Sequence, residues 1–205
     1  MNTRRNGFDH IASYYEDLIR KYGHDPRACD YGRVESQAIK FQVLSAATSM
    51  NGKSILDVGC GFADYYRYLS GMAKDIRYVG LDITQGMISE SKRLDPELDL
   101  RCGNILDWDS DELFDVVTAN GIFYLINDDS LGKMQDIIRA MYKRANEVVA
   151  FNSLSSWAPD KEAGEFYADP MQTLDFCRTL TPWVSLRHDY HSRDFTIYMY
   201  KNKNS

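Results

Sequence analysis

The stretch Ser54-Ile55-Leu56-Asp57-Val58-Gly59-Cys60-Gly61-Phe62-Ala63-Asp64 decides how the rest of this chain is read. Ile55, Leu56 and Val58 form a short apolar run suited to a strand buried on both faces, as in a parallel sheet. Gly59 and Gly61 permit a tight turn and let the backbone approach a ligand where side chains would block it. A helix-like segment follows, so the turn offers free N–H groups at a helix start. The pattern departs from the dinucleotide-binding fingerprint. Asp64 takes the place of the third glycine, and a carboxylate, Asp57, sits inside the strand. A carboxylate buried beside a ligand turn favours a ligand with positive charge, such as an amino group, over a pyrophosphate.

Working outward, strand and helix patterns alternate. Arg77 to Ile83 (RYVGLDI) reads as a strand ending at Asp82, about 20 residues on, where an acidic side chain can grip both ribose hydroxyls. A helix from about Gln85 to Leu94 stops at Asp95-Pro96. A third strand, Asp99 to Gly103, delivers Asn104 and Ile105. A fourth, Phe114 to Ala119, opens into Asn120-Gly121-Ile122-Phe123-Tyr124, and its C-terminal end lies where open α/β sheets bind ligands. Further helices are expected over Asp129 to Ala145 and from Asp169-Pro170 to about Thr179, with a strand between them, Glu147 to Leu154. VSLRHDYH (Val184 to His191) and DFTIYMYK (Asp194 to Lys201) read as a hairpin around Ser192-Arg193.

Taken together, ILDVGCGFAD, RYVGLDI, LRCGNILDW and FDVVTANGIFYLI, in that order, resemble the motifs of class I (Rossmann-like) S-adenosylmethionine-dependent methyltransferases. The resemblance implies a three-layer αβα sandwich with a seven-stranded, mostly parallel sheet in the order 3-2-1-4-5-7-6. It implies S-adenosyl-L-methionine as cofactor and S-adenosyl-L-homocysteine as product. The cofactor contacts it implies are Asp57, Gly59, Cys60 and Gly61 at the turn, Asp82 and Ile83 at the ribose, and Asn104 and Ile105 at the adenine. Asn120 and Gly121 would lie at the methionine end. The family usually has a carboxylate at the position of Asn104, where an amide oxygen forms a weaker bond.

N-terminal to the core, Gly7 to Tyr22 has Phe8, Ile11, Ala12, Tyr15, Leu18 and Ile19 at helical spacing. FDHIASYYE resembles the family segment that folds over the cofactor, which would bring Tyr15 near the methionine moiety; the other reading makes Tyr15 a core residue of an amphipathic helix. A second helix is expected over Arg33 to Met50. Its Glu35, Ser36, Gln37 and Lys40 read as a solvated polar side, or else as part of the acceptor site. Residues 1–50 are thus expected as lid helices and 51–205 as the cofactor-binding core of a single domain.

Bulk properties narrow the function. Hydrophobic residues at 44% and charged residues at 26% are ordinary for a globular protein. No apolar run approaches the roughly 18 residues of a membrane span. MNTRRNGFDH lacks the apolar region of a secretory signal. Cys29, Cys60, Cys102 and Cys177 show no paired or metal-ligand spacing, so reduced thiols, no metal site and a cytoplasmic location are expected. A net charge of −6 without a dense basic run weighs against a nucleic-acid substrate.

The acceptor is expected to be a small organic molecule, with O-methylation of a sugar or secondary metabolite preferred. N-methylation, RNA or protein methylation, a non-catalytic cofactor-binding role and a nicotinamide-dependent oxidoreductase are the alternatives. Oligomeric state is left open. A hydroxyl acceptor needs its proton removed, and a His titrating near neutrality suits that task. His188 and His191 at the hairpin end are the candidate bases, with Asp189 as orienting partner and His10 third. Tyr124 is a further candidate catalytic residue, as a wall of the acceptor pocket. Trp157, Phe166 and Tyr167 in SSWAPDKEAGEFYADP read either as substrate walls or as loop anchors.

Overall fold

The structure, a computed structural model, describes residues 8–29 and 34–202. The strands are β1 (Ser54–Val58), β2 (Arg77–Asp82), β3 (Asp99–Cys102), β4 (Phe114–Ala119), β5 (Ala145–Leu154), β6 (Val184–Arg187) and β7 (Asp194–Tyr200). They form one sheet in the order β3-β2-β1-β4-β5-β7-β6, the expected order. β1 to β5 pair in parallel. β7 runs antiparallel to both β5 and β6, so β6 points the same way as β5. The chain end of β6 therefore emerges on the same edge as the glycine turn after β1.

Helices cover both faces. They are α1 (Asp9–Tyr22), α2 (Val34–Ser45), α3 (Asp64–Ser70), α4 (Gln85–Leu94), α5 (Ser130–Arg144) and α6 (Pro170–Arg178). Alternation along each strand divides the core in two. Leu56 and Val58 of β1 pack with Val117, Phe151 and Ile197, and with Met134, Ile138 and Met141 of α5. Ile55 faces the other side, with Phe41 and Leu44 of α2 and Tyr65 and Leu69 of α3. Strands covered on both faces have no solvated side, which is why β1 reads as a continuous apolar run. Asp57 interrupts that run on the α2–α3 side.

Most element boundaries fall within two residues of expectation, and two depart further. The starts proposed at Gly7 and Arg33 lie outside the described residues. α2 ends at Ser45 rather than Met50: Ser45 Oγ donates to the Phe41 carbonyl, and Ala46 and Ala47 make tighter i−3 bonds. β6 ends at Arg187, and residues 188–193 form a longer connection in place of a tight turn at Ser192-Arg193. There His188 leaves the ladder to stack between Trp157 and Phe195. α6 starts sharply because Asp169 accepts from the N–H groups of Met171 and Gln172, both at 2.9 Å, with Pro170 opening the helix. Among the described residues no helix is long and apolar enough to cross a membrane.

Candidate functional site

At the carboxyl end of β1 the chain turns through Gly59 (φ +74°) and Gly61 (φ +52°) before α3 begins. The N–H groups of Gly59 and Cys60 both approach the Leu81 carbonyl, at 2.7 and 3.1 Å, which ties the turn to β2. Asp82, at the end of β2, reinforces this. Its Oδ2 accepts from the Gly61 N–H at 2.9 Å and its Oδ1 from the Thr84 N–H at 2.8 Å. Each oxygen retains a lone pair for a further donor, such as a hydroxyl. Burial raises the Asp82 pKa while the backbone bonds oppose that rise.

Asp57 has the opposite need. Burial pushes it up to about 6, against bonds donated by the Tyr78 hydroxyl at 2.6 Å and the Thr118 hydroxyl at 3.1 Å. Both partners are neutral, so the buried carboxylate lacks a full positive charge from them. It lines the cavity, where a ligand ammonium would supply that charge.

The cavity itself has a volume of about 760 Å³. Asp57, Gly59, Cys60 and Gly61 line it from the turn, and Asp82 and Ile83 from β2. Asn104, Ile105, Asn120 and Gly121 line it from the loops after β3 and β4, and Tyr15 from α1. All the residues singled out for the cofactor thus meet in one space. The Asn104 amide oxygen accepts from the Leu106 N–H at 3.0 Å, leaving one lone pair and the amide NH₂ for a ligand. The Asn120 loop has a support the sequence reading missed. Asn152 of β5 is fully buried; its amide donates to the Asn120 Oδ1, and its oxygen accepts from the Gly121 N–H at 2.7 Å. The only signal was one Asn in the apolar run of β5.

α1 lies across the cavity, which Phe8, Ile11 and Leu18 also line. Tyr15 and Tyr124 share a hydroxyl–hydroxyl bond of 2.9 Å, and His10 Nε2 meets the Leu125 carbonyl at 2.9 Å. Glu16 accepts from the Gly86 N–H at 2.7 Å, placing a carboxylate at the positive end of α4. His24, just beyond the end of α1, is exposed and packs edge-on against Phe62 with Asp64 at 3.8 Å.

At the far end, Ser36, Gln37 and Lys40 of α2 line the cavity, with Tyr124, Glu162, Glu165, His191, Arg193 and Asp194. The polar side of α2 is therefore largely buried there. The two candidate bases separate. His191 lines the cavity, and its Nδ1 lies 2.7 Å from Asp194 Oδ2. His188 is not among the lining residues; its Nε2 meets the Ser155 hydroxyl at 2.7 Å and its ring stacks on Trp157. Asp189 pairs with Arg187 at 2.7 Å and orients neither histidine. Trp157, Phe166 and Tyr167 also stay off the cavity wall. Phe166 packs against the core, and the Tyr167 hydroxyl meets Arg193 at 2.8 Å, so they anchor the loop. No group of three or more His, Cys, Asp or Glu able to hold a metal occurs among the described residues.

The sheet order and the position of the cleft define the class: the chain has the class I, Rossmann-like methyltransferase fold. Residues 55–145 match the family model described as "Methyltransferase domain". The chain is 26% identical over 158 residues to "Putative methyltransferase Rv1506c" of Mycobacterium tuberculosis (strain H37Rv), covering 72% of this chain and 93% of that protein. Among solved structures, "DhpI-SAM-HEP complex" superposes with a TM-score of 0.68 at 19% identity, covering 94% and 97% of the two chains. Magnesium protoporphyrin IX methyltransferase (ChlM) from Synechocystis PCC 6803, with bound SAM, superposes at 0.69 and 12% identity, covering 98% and 100%.

Proposed function

We propose that this protein is an S-adenosylmethionine-dependent methyltransferase acting on a small organic acceptor, with oxygen the atom methylated. The observation that carries this reading is the meeting of the turn, Asp82, Asn104 and the Asn120 loop around one cavity. The donor set fits the cofactor. Asp82 keeps acceptors for a ribose, Ile105 offers a buried apolar face for a purine, and Asp57 lacks a cationic partner. Bound there, the sulfonium supplies a methyl group to a nucleophile and leaves as a neutral thioether. Residues 51–205 would form the cofactor-binding core, with residues 1–50 as its lid. Solved relatives include one complexed with HEP and one named for magnesium protoporphyrin IX, which supports a small acceptor.

Calorimetry tests the cofactor: S-adenosylhomocysteine should bind and NADH should give no heat. The reverse result would make the protein an oxidoreductase. Methyl-labelled cofactor against a panel of hydroxyl and amine compounds then tests the acceptor; label transferred only to amines would overturn the choice of oxygen.

Two residue-level expectations follow. His191 acts as the base because it faces the cavity, and burial lowers its pKa, so it is mostly neutral and able to accept a proton at pH 7. His191→Ala should cut turnover by about 10²- to 10⁴-fold. His188→Ala should leave turnover within a few-fold, since Ser155 and Trp157 occupy its ring. Steady-state rates with any acceptor found above read both, and equal losses would reject the assignment.

Asp57 makes the second expectation. In the free protein it takes up a proton near pH 6, whereas the ligand's ammonium favours the carboxylate. Binding below pH 6 must then expel a proton, so affinity for S-adenosylhomocysteine should weaken as pH falls from 7 to 5. Calorimetry in buffers of different ionisation enthalpy counts that proton. A flat affinity with no proton release would disconnect Asp57 from the ligand's charge.

A further inference from the structure

Among the described residues, three buried side-chain polar atoms have no hydrogen-bond partner: Thr84 Oγ1, Arg193 Nε and Asp194 Oδ2. All three residues line the cavity. Buried polar atoms of folded proteins are paired in the large majority of cases, because leaving one unpaired costs about 1–3 kcal/mol. Their confinement to one cleft points to a ligand that pairs with them. Thr84, two residues past Asp82, belongs to the cofactor end. Arg193 and Asp194, at the start of β7, belong to the far end with Glu162, Glu165 and His191. These two orphans need opposite partners. Asp194 Oδ2 is an acceptor on a side chain only 3% exposed, and Lys40 Nζ occupies the other oxygen at 3.0 Å. His191 Nδ1, 2.7 Å from Oδ2, supplies no hydrogen, because it accepts from the Arg193 N–H at 3.2 Å. Arg193 Nε is a donor. The rest of its guanidinium is held in place: Nη1 donates to Glu162 at 3.1 Å, and Nη2 to Glu165 at 3.1 Å and the Tyr167 hydroxyl at 2.8 Å.

Charge decides which kind of group fits. Lys40 is matched by Asp194, and Arg193 by Glu162 and Glu165, which sets three carboxylates against two cations. A carboxylate or phosphate on the acceptor would be repelled and would leave Asp194 Oδ2 unpaired. An ammonium would satisfy Asp194 but has no lone pair for Arg193 Nε. Hydroxyls meet both needs, since each donates one hydrogen and accepts through two lone pairs. We propose that this end of the cavity selects a neutral, polyhydroxylated acceptor of the sugar class. Hydroxyls other than the methylated one donate to Asp194 Oδ2 and accept from Arg193 Nε. This rests on the methyltransferase reading of the cavity. A hydroxyl oxygen that accepts from a guanidinium is a poorer nucleophile, so the methyl group goes to another oxygen of the same molecule. Asp194 and Arg193 thus set specificity, and they do so by leaving two buried atoms unpaired until the acceptor arrives.

Saturation-transfer NMR on the protein saturated with S-adenosylhomocysteine tests this without the natural acceptor. The probes are ring-sized molecules: a set of neutral methyl hexopyranosides, methyl glucosiduronate as an anion, glucosamine as a cation and cyclohexanecarboxamide as a neutral amide. At least one neutral hexoside should bind, about ten- to a hundredfold more tightly than the charged and amide probes. Among single-deoxy derivatives of that hexoside, at least one should lose a similar factor, because it leaves Asp194 Oδ2 or Arg193 Nε unpaired. In Asp194→Asn or Arg193→Lys the same derivative and its parent should bind within about twofold of each other. A purely structural role would weaken both alike and keep their ratio. Circular dichroism and S-adenosylhomocysteine affinity check that each variant is folded, and the deoxy series on the wild type stands without any variant. Tighter binding of the anion, the cation or the amide would overturn the proposal. So would equal binding of every deoxy derivative, or no binding of any probe while S-adenosylhomocysteine binds. Failure of S-adenosylhomocysteine itself to bind would instead remove the methyltransferase reading.

Discussion

Asp82→Ala is expected to weaken S-adenosylhomocysteine binding by about 2–4 kcal/mol, roughly 30- to 700-fold. Two losses combine. The first is the pair of charge-assisted bonds that the carboxylate would make to ribose hydroxyls, on the order of 1–3 kcal/mol. The second is internal to the protein: the N–H groups of Gly61 and Thr84 lose the acceptor that fixes them at 2.9 and 2.8 Å. Gly61 belongs to the turn and Thr84 precedes α4, so the variant loosens both walls of the cavity at once. Asp82→Asn separates the two contributions. It keeps one carbonyl-type oxygen for the backbone but removes the charge, so it should lose less than the alanine variant. Isothermal calorimetry measures both. An alanine variant that binds within threefold of wild type would move the ribose site away from β2.

The reach of sequence reading follows the range of the interactions involved. The strand order was readable because the four motifs resemble those of a family whose sheet has that order. The turn at Gly59 and Gly61 was readable because positive φ demands glycine. Asp82 was readable as a strand-end carboxylate about 20 residues past that turn, and Asn104 only through the family resemblance. What escaped was every contact that needs a second, distant segment. Asn152 supports the Asn120 loop from 31 and 32 residues away, and nothing local marks it. Asp189 was named as the partner of the histidines because it lies beside them, yet it pairs with the exposed Arg187 guanidinium. Asp194 was read as a strand residue, and its buried pairing with Lys40 appears only when α2 packs beside β7. The same holds for α2, whose polar side reads as solvated until the cavity is seen beneath it.

Gly59→Ala should damage both stability and cofactor binding, and it tests how the turn and the Asn120 loop are joined. Gly59 adopts φ +74°, where an L side chain costs roughly 1–2 kcal/mol. A Cβ there would also lie 2.2 Å from Ile122 Cγ2, far inside contact distance. Overpacking of this kind costs about 1–3 kcal/mol. The sum, about 2–5 kcal/mol, corresponds to a fall in Tm of roughly 4–20 °C for a chain of this size. Ile122 follows Asn120 and Gly121 directly and lines the same cavity, so pushing it aside must displace the loop that lines that cavity. Ile122→Ala should relieve the collision but not the backbone strain. In the double variant the two substitutions are therefore expected to couple by about 1–3 kcal/mol, with part of the lost S-adenosylhomocysteine affinity restored. Thermal melts and calorimetry on the four proteins of the cycle decide it. Strict additivity would mean that backbone strain alone penalises a side chain at Gly59, and that Ile122 does not hold the turn and the loop in register.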